Sequence, residues 1–351
     1  MPLRQNSSKF TLCVITAAHL AVDLACFYLL YSSFRPHFGD LGRVAAGFLL
    51  YNVIAFGFQP LIGAALDRRC LSGAAPCGCL LIAVALPAAP HFAWLGLILA
   101  AWGNALFHAA GGLLSLNLAR GRAAVPGVFV SSGAVGVSGG IVLAAHSFPL
   151  FPVLVLLLTA ALLLSCCGRP EGETRPFSPS LRALPFGWLL ALILTAVVIR
   201  ALAGGLAPMS WRSGDVTIML AGVAAAAGKA IGGFAGDRFG FRPAALVSLL
   251  LSLPLLCCGG QIMWLSLAGL ILFNMAMPLT LCAVAALLPG DPGLAFGLTT
   301  LALLLGTAPL FFLDLTPAAA ALFVAVSGLV AALCLYLAFA PRRKENGQAS
   351  A

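Results

Sequence analysis

The stretch Gly233-Phe234-Ala235-Gly236-Asp237-Arg238-Phe239-Gly240-Phe241-Arg242 sets an acid and two arginines between two long apolar runs. It has a counterpart 170 positions earlier, in Gly63-Ala64-Ala65-Leu66-Asp67-Arg68-Arg69. More positions agree in the same ungapped register: Trp94 with Trp264, Asn104 with Asn274, Gly127 with Gly297, and Gly136 with Gly306. So many coincidences in one register point to a duplication, with an acidic-basic junction kept at the same place in each copy.

Working outward from these junctions, apolar runs fall near 10–31, 44–66, 72–89, 92–119, 124–145, 148–167, 186–208, 215–236, 242–260, 262–288, 293–313 and 317–340. A helix that crosses a bilayer needs roughly 20 mostly apolar residues. The expected fold is therefore an all-α integral membrane protein of about twelve spans. Six spans separate the copies, so the halves share one orientation. The longest connection, Gly168 to Pro185, is rich in Pro, Glu and Arg and reads as a cytoplasmic linker. The expected organisation is a six-helix half over 1–167, the linker over 168–185, and a second six-helix half over 186–351.

Charge supports the count. With the N-terminus inside, the inner side carries Arg4, Lys9, Arg68, Arg69, Arg120, Arg122, Arg169, Arg175, Arg182, Arg238, Arg242, Arg342, Arg343 and Lys344, and the outer side only Arg35, Arg43 and Arg212. Cytoplasmic loops carry the excess of Lys and Arg, so both termini are expected in the cytoplasm. The expected location is the cell membrane, the inner membrane in a two-membrane cell.

Composition removes other classes. The chain has 351 residues, 62% hydrophobic and 8% charged, against about 25% charged for a soluble domain. Its surface must face lipid. The net charge of +9 comes from basic residues in short gaps between apolar runs, which is topology rather than a nucleic-acid face. The 11 cysteines, with the pairs Cys166–Cys167 and Cys257–Cys258 among them, lie in or beside apolar runs. Their spacing suggests neither a zinc site nor a disulfide framework, and no metal is expected. The basic start followed by an apolar run resembles a signal peptide, but His19 and Asp23 interrupt it and many spans follow, so it reads as a retained first helix. The loops are too short for a nucleophile–base set or a cofactor motif, so no enzyme and no cofactor is expected. Without an ATP-binding loop, an ion gradient is the expected energy source.

The two junctions resemble the Gly-x-x-x-Asp-Arg-x-Gly-Arg-basic motif of the major facilitator superfamily, which lies in the loop between helices two and three and again between eight and nine. The second copy fits well; the first lacks the later glycine. The resemblance implies two six-helix halves rocking about a midplane cavity, with a cytoplasmic gate at Gly63, Asp67, Arg68, Gly233, Asp237, Arg238 and Arg242. There an aspartate caps or pairs across a helix end and arginines hold the inner face closed. The alternative is a set of topology anchors that only snorkel. The N-terminal half further resembles the fosmidomycin-resistance-type efflux proteins in His19-x-x-x-Asp23, in Gln59-Pro60-x-x-Gly63-x-x-x-Asp67 and in Gly103-x-x-x-Phe107-His108. That family's Pro and charged residue after the histidine are Ala109 and Ala110 here. Gly133-Ala134-Val135-Gly136-Val137-Ser138-Gly139-Gly140 is similar to the glycine-rich antiporter motif of drug exporters, although glycines so spaced also let helices pack closely.

A charge inside the bilayer is costly, so an intramembrane ionisable group is a functional candidate. The candidates are Asp23 with His19 one turn before it, His108 with Asn104 one turn before it, Arg200, Lys229 and Asn274. Gln59 joins them because it occupies the repeat position of Lys229. The superfamily lines its cavity with helices one, four, seven and ten, where most of these fall. Desolvation raises a carboxyl's pKa and a nearby cation lowers it. An Asp23 that met Arg200 in one state only would therefore gain and lose a proton, with His19 as a relay; a fixed Asp23–Arg200 or Asp23–His19 bridge is the structural alternative. Arg200 and Lys229 also suit an anionic solute group, though Lys229 could snorkel. Asn104, Asn274 and His108 could contact solute or tie helices together. His37, His91 and His146 are expected to be solvated, and Trp94, Trp211 and Trp264 to sit at the outer interface.

The expected function is a monomeric secondary transporter in the lipid bilayer, exporting a small drug-like or anionic compound with protons as the coupling ion. Rivals are a proton symporter for a metabolite and, in another class, a receptor or scaffold that moves nothing. The last would keep working without Asp23 or Arg200.

Overall fold

The computed structural model describes residues 2–69, 73–167, 175–258 and 260–341, with side chains from Ser8 onward. Arg169, Arg342, Arg343, Lys344, the side chain of Arg4 and the first part of the expected linker lie outside the described residues.

Among the described residues ten helices are long and apolar enough to cross a membrane, and two shorter apolar helices complete the set. In chain order they are α1 Ser8–His37, α2 Leu41–Arg68, α3 Ala74–Ala88, α4 Ala93–Leu118, α5 Ala124–Ala145, α6 Leu150–Cys166, α7 Phe186–Leu206, α8 Asp215–Phe239, α9 Phe241–Cys258, α10 Met263–Leu287, α11 Pro292–Phe311 and α12 Pro317–Ala338. They match the twelve expected runs one for one. The α3 helix, at 15 residues, and α6, at 17, are the short ones. Among the described residues the only β pairing is an isolated antiparallel bridge between Leu181 and Phe339. It docks the described part of the linker along the end of α12, where Arg182 N–H donates to Ala338 O at 2.9 Å. The outer faces present Leu61, Phe151, Leu162, Trp188 and Leu322, the apolar surface that lipid requires.

Three irregularities shape the interior. π-helical turns interrupt α1 at Leu30–Phe34 and α2 at Val53–Gly57, a feature frequent at functional sites. The α10 helix breaks after Asn274. Pro278 has no N–H for the Asn274 carbonyl, which removes one rung of the ladder. The third feature concerns the repeated junctions. Sequence places Asp67-Arg68 and Asp237-Arg238 in connecting loops, but both pairs lie in the last helical turn of α2 and α8. The α8 helix continues until Gly240, at φ 91°, ends it, a left-handed C-terminal position that favours glycine.

The halves meet along two repeat-related crossings. A Cβ on Gly297 of α11 would lie 2.5 Å from the Pro60 nitrogen and 2.6 Å from the Gln59 carbonyl carbon of α2. A Cβ on Gly127 of α5 would lie 3.0 Å from the Lys229 carbonyl of α8. Gly127 and Gly297 are 170 positions apart, as are Gln59 and Lys229. The duplication seen in sequence is thus a duplication of helix–helix contacts. Within the first half, α5 packs on α1 through Gly133, Gly136 and Gly140; the last two admit the α1 backbone, and Gly133 admits the side chains of His19 and Asp23.

Candidate functional site

His19 and Asp23 are one turn apart on α1 and so share a face. That face meets α4. His19 Nε2 lies 3.3 Å from Asp23 Oδ2, and His108 Nε2 lies 3.5 Å from Asp23 Oδ1. The two Nε2 atoms are 2.9 Å apart. Asn104, one turn before His108, donates from Nδ2 to Asp23 Oδ1 at 3.3 Å. All four residues are at least nine-tenths buried. Each imidazole is oriented from behind: His19 Nδ1–H donates to Phe129 O at 2.8 Å, and His108 Nδ1–H donates to Asn104 O at 3.0 Å. A carbonyl can only accept, so in the neutral rings Nδ1 carries the proton and both Nε2 lone pairs point forward. Gly133 keeps the cluster accessible, since a Cβ there would lie 2.5 Å from His19 Nε2.

The cluster opens on a cavity of about 370 Å³ between the halves, lined by His19, Asp23, Phe27, Asn52, Phe56 and His108 from the first half and by Lys229, Met277, Phe296 and Thr300 from the second. A second cavity of about 230 Å³ adjoins it through the shared residues Val130, Met277, Phe296, Thr300 and Leu303. Arg200 and Asn274 line this second chamber. Arg200 is 6% exposed. Its Nη2 donates to Phe273 O at 2.7 Å and its guanidinium stands 5.1 Å from the Phe273 ring centroid. Its buried Nε has no partner. Among the described residues no acid pairs with it, which leaves a buried cation facing an apolar cavity.

In this state Asp23 and Arg200 do not meet, as one of the two states of the expected cycle requires. Asp23 is engaged by His19, His108 and Asn104, whereas Arg200 is engaged by α10. The short-range Asp23–His19 bridge named as the structural alternative is present, and His108 extends it. Lys229 faces the cavity rather than snorkelling. Gln59 does not face it. That side chain is fully buried, donating from Nε2 to Ala55 O at 2.7 Å while Oε1 has no partner. Asn274 lines the Arg200 chamber but spends its Nδ2 on Leu270 O at 2.9 Å. Sequence missed Asn52, Thr299 and Thr300 as lining residues. Intramembrane polarity was the available signal, but hydroxyls and a mid-span amide are less rare there than charges.

At the arginine-rich end, the aspartates of the junctions cross between halves. Asp67 Oδ1 and Oδ2 accept from Gly293 N–H and Leu294 N–H at the start of α11, both at 2.8 Å. Asp237 Oδ1 and Oδ2 accept from Ala123 N–H at 2.7 Å and Ala124 N–H at 3.0 Å, at the start of α5. Gly293 and Leu294 stand 170 positions after Ala123 and Ala124, so the two latches are symmetry mates. Each sets a carboxylate on the electropositive end of a helix. Gly63 and Gly233 allow the approach, since their absent side chains leave room for the carbonyls of Gly293 and Ala123. The arginines do less than expected. Arg68 is exposed, and Arg242 stacks 4.5 Å from the Tyr336 ring centroid in its own half.

At the opposite end His146 is not simply solvated. Its Nε2 meets Asp215 Oδ2 at 2.5 Å, bridging α5 and α8. The two side chains are 66% and 45% exposed, and exposed pairs contribute about 0–1 kcal/mol. His146→Ala is expected to leave the thermal unfolding midpoint within about a degree of wild type; a fall of many degrees would mark this pair as a principal clasp between the halves.

No protein-family profile matches the chain, and no curated protein sequence does. Solved structures do. The human organic anion transporter MFSD10 (TETRAN) superposes with a TM-score of 0.66 at 16% identity, covering 94% of this chain and 99% of that one. The Major Facilitator Superfamily transporter FucP in its outward conformation gives 0.66 at 13% identity, covering 93% and 97%. A bacterial homologue of the iron transporter ferroportin, outward-facing, gives 0.63 at 16% identity, covering 94% and 98%. The chain has the major facilitator fold: two parallel six-helix halves around a central cavity.

Proposed function

We propose that the protein is a secondary active transporter of a small organic anion, working by alternating access of its two halves and driven by protons toward export. The observation that carries this reading is Arg200, a buried guanidinium that pairs with no acid among the described residues, in an apolar chamber adjoining the cavity between the halves. A buried cation is retained at a cost that an anionic ligand offsets, and a planar guanidinium suits a carboxylate or phosphonate. Lys229 adds a second positive group to the same space, and the apolar walls suit a drug-like body on the anion. The organic anion transporter that shares the fold agrees with this solute class.

The paired aspartate latches hold the arginine-rich end closed in this state, and charge bias makes that end cytoplasmic. Gly63, Asp67, Gly233 and Asp237 are the gate. Arg68, Arg238 and Arg242 serve as topology anchors beside it. Protons enter the cycle at His19, Asp23 and His108, where three acceptors converge and call for a cation. Export rests on the likeness of the His19–Asp23, Gln59-Pro60 and Phe107-His108 segments to fosmidomycin-resistance-type proteins.

The test is a thermal-shift screen of purified protein against aromatic carboxylates, phosphonates and neutral sugars, with Arg200→Ala and Arg200→Lys alongside wild type. A binder at about a hundred times its Kd stabilises by roughly 2.7 kcal/mol. Losing one partner of a buried charge pair costs about 2–5 kcal/mol, so Arg200→Ala should weaken the anion roughly 30-fold or more. Anions that stabilise Arg200→Ala as well as wild type would overturn the reading. In proteoliposomes, an imposed proton gradient should drive the bound anion outward relative to the arginine-rich face; inward accumulation would make the protein a symporter.

A further inference from the structure

We propose that His19, Asp23 and His108 form a binding site for a divalent transition-metal ion of the Mn²⁺, Fe²⁺, Co²⁺ and Zn²⁺ class, open to the cavity between the halves. The inference adds a second occupant to the cation site of the preceding proposal. It rests on the geometry of the cluster and not on the identity of the transported anion.

The donor atoms already hold the spacing of a coordination shell. The two Nε2 atoms stand 2.9 Å apart, and the Asp23 carboxylate sets Oδ2 3.3 Å from His19 Nε2 and Oδ1 3.5 Å from His108 Nε2. An ion about 2.1 Å from each donor sets neighbouring donors about 3.0 Å apart in an octahedron and about 3.4 Å apart in a tetrahedron. The three donors therefore form one face of a shell, with the ion slightly out of their plane. Two imidazoles and one carboxylate on a face, with the remaining positions open, is a pattern suited to first-row divalent metals. Hard Mg²⁺ and Ca²⁺ prefer an all-oxygen set.

The surroundings hold each donor as a ligand. Both Nδ1–H groups are spent on backbone carbonyls, Phe129 O and Asn104 O. That is the outer-shell arrangement that fixes a metal-bound histidine's tautomer and ring plane. It also turns two lone pairs toward each other at 2.9 Å, a contact that is repulsive until a cation lies in front of them. Asn104 orients the carboxylate through Oδ1. The open positions face the cavity because Gly133, on the covering helix α5, has no side chain to fill them. Lys229 lines the same cavity, and its charge works against any cation bound there. The carboxylate and two lone pairs act for it.

The test is a Co²⁺ titration of chelator-stripped full-length protein in detergent, read by ligand-field absorption. Wild type is compared with His19→Ala, His108→Ala and Asp23→Asn. The expected result is one saturable site per chain with nitrogen–oxygen ligation. Loss of outer-shell partners alone weakens metal sites 10- to 100-fold, so each ligand variant should lose at least about 100-fold. Ten of the cysteines are free thiols in this state. A sulfur-to-cobalt charge-transfer band would place the ion on them and overturn the proposal. Binding equal in wild type and in His19→Ala and His108→Ala would overturn it too, as would no saturable binding at all. Arg200-dependent stabilisation by an organic anion, measured on the same variants, shows that each is folded and keeps the fate of this inference separate from that of the anion reading.

Discussion

Replacing Asp67 and Asp237 together by alanine should open the arginine-rich end of the protein and, on the proposed function, abolish coupled transport. Each carboxylate accepts two backbone N–H bonds from the first turn of a helix in the other half. Hydrogen bonds to a charged group contribute about 1.5–3 kcal/mol each when sheltered. Both aspartates are partly open to solvent, so the lower figure per carboxylate is the appropriate one. Two latches then hold the closed state by roughly 3 kcal/mol, which is about a hundred-fold in the closed-to-open ratio. The measurement is a pair of spin-label distances, one between the start of α5 and the end of α8 and one between the end of α2 and the start of α11. A distribution that shifts to longer distances in the double variant is the expected result. The single variants should fall between it and wild type by similar amounts, because the latches are symmetry mates. A distribution unchanged in the double variant would mean that the helix crossings alone close this end.

Gly136→Ala should destabilise the protein clearly, whereas Gly139→Ala, three residues away in the same glycine-rich helix, should not. A Cβ on Gly136 would lie 3.1 Å from both the Leu24 nitrogen and Asp23 Cβ, besides meeting the Leu20 carbonyl. Backbone cannot move aside as a side chain can, and overpacking of this kind costs about 1–3 kcal/mol or more. A Cβ on Gly139 would touch only Leu24 Cδ1, at 3.5 Å, and alanine is intrinsically about 1 kcal/mol better than glycine in a helix. Thermal unfolding midpoints and yields of folded protein from membranes test the pair. If both variants behaved like wild type, the glycines would owe their place to motion in the transport cycle and not to close packing of α1 on α5. The present packing favours the second account: Gly133, Gly136 and Gly140 face α1, and the similarity to an antiporter motif needs no further explanation.

The two aspartate latches illustrate how far one chain can be read without its structure. The junctions were recognisable as a repeated pair, and their aspartates as helix-end groups. Which helix ends they reach was hidden. Asp67 finds Gly293 and Asp237 finds Ala123, partners more than a hundred residues away whose backbone N–H groups carry no sequence mark. The arginines beside them were expected to hold the inner face closed because their charge is visible in a sequence, whereas an unpaired amide at a helix start is not. The cavity follows the same rule. Asp23, His108, Arg200 and Lys229 stood out because ionisable groups are rare in apolar runs. Gln59 stood out for its repeat position and proved to be buried between helices. Asn52 and Thr300 were passed over because neither is costly enough in a membrane to attract notice.

Composition, hydropathy and charge bias determined by themselves that this chain is a bundle of about twelve membrane helices, and the 170-residue repeat that it has two related halves. Those properties are set by the exchange of each segment between water and lipid, a local quantity that each residue contributes on its own. What only the tertiary structure decided is who meets whom. Asp23 pairs with two histidines instead of Arg200, Arg200 is left facing an apolar chamber, and the halves are tied by carboxylates on helix ends. The reason is geometric. Rotation of a helix by one residue turns a side chain by about a quarter of a circle, and the rotations that bring α1, α4 and α5 together are set by where glycines let backbones touch.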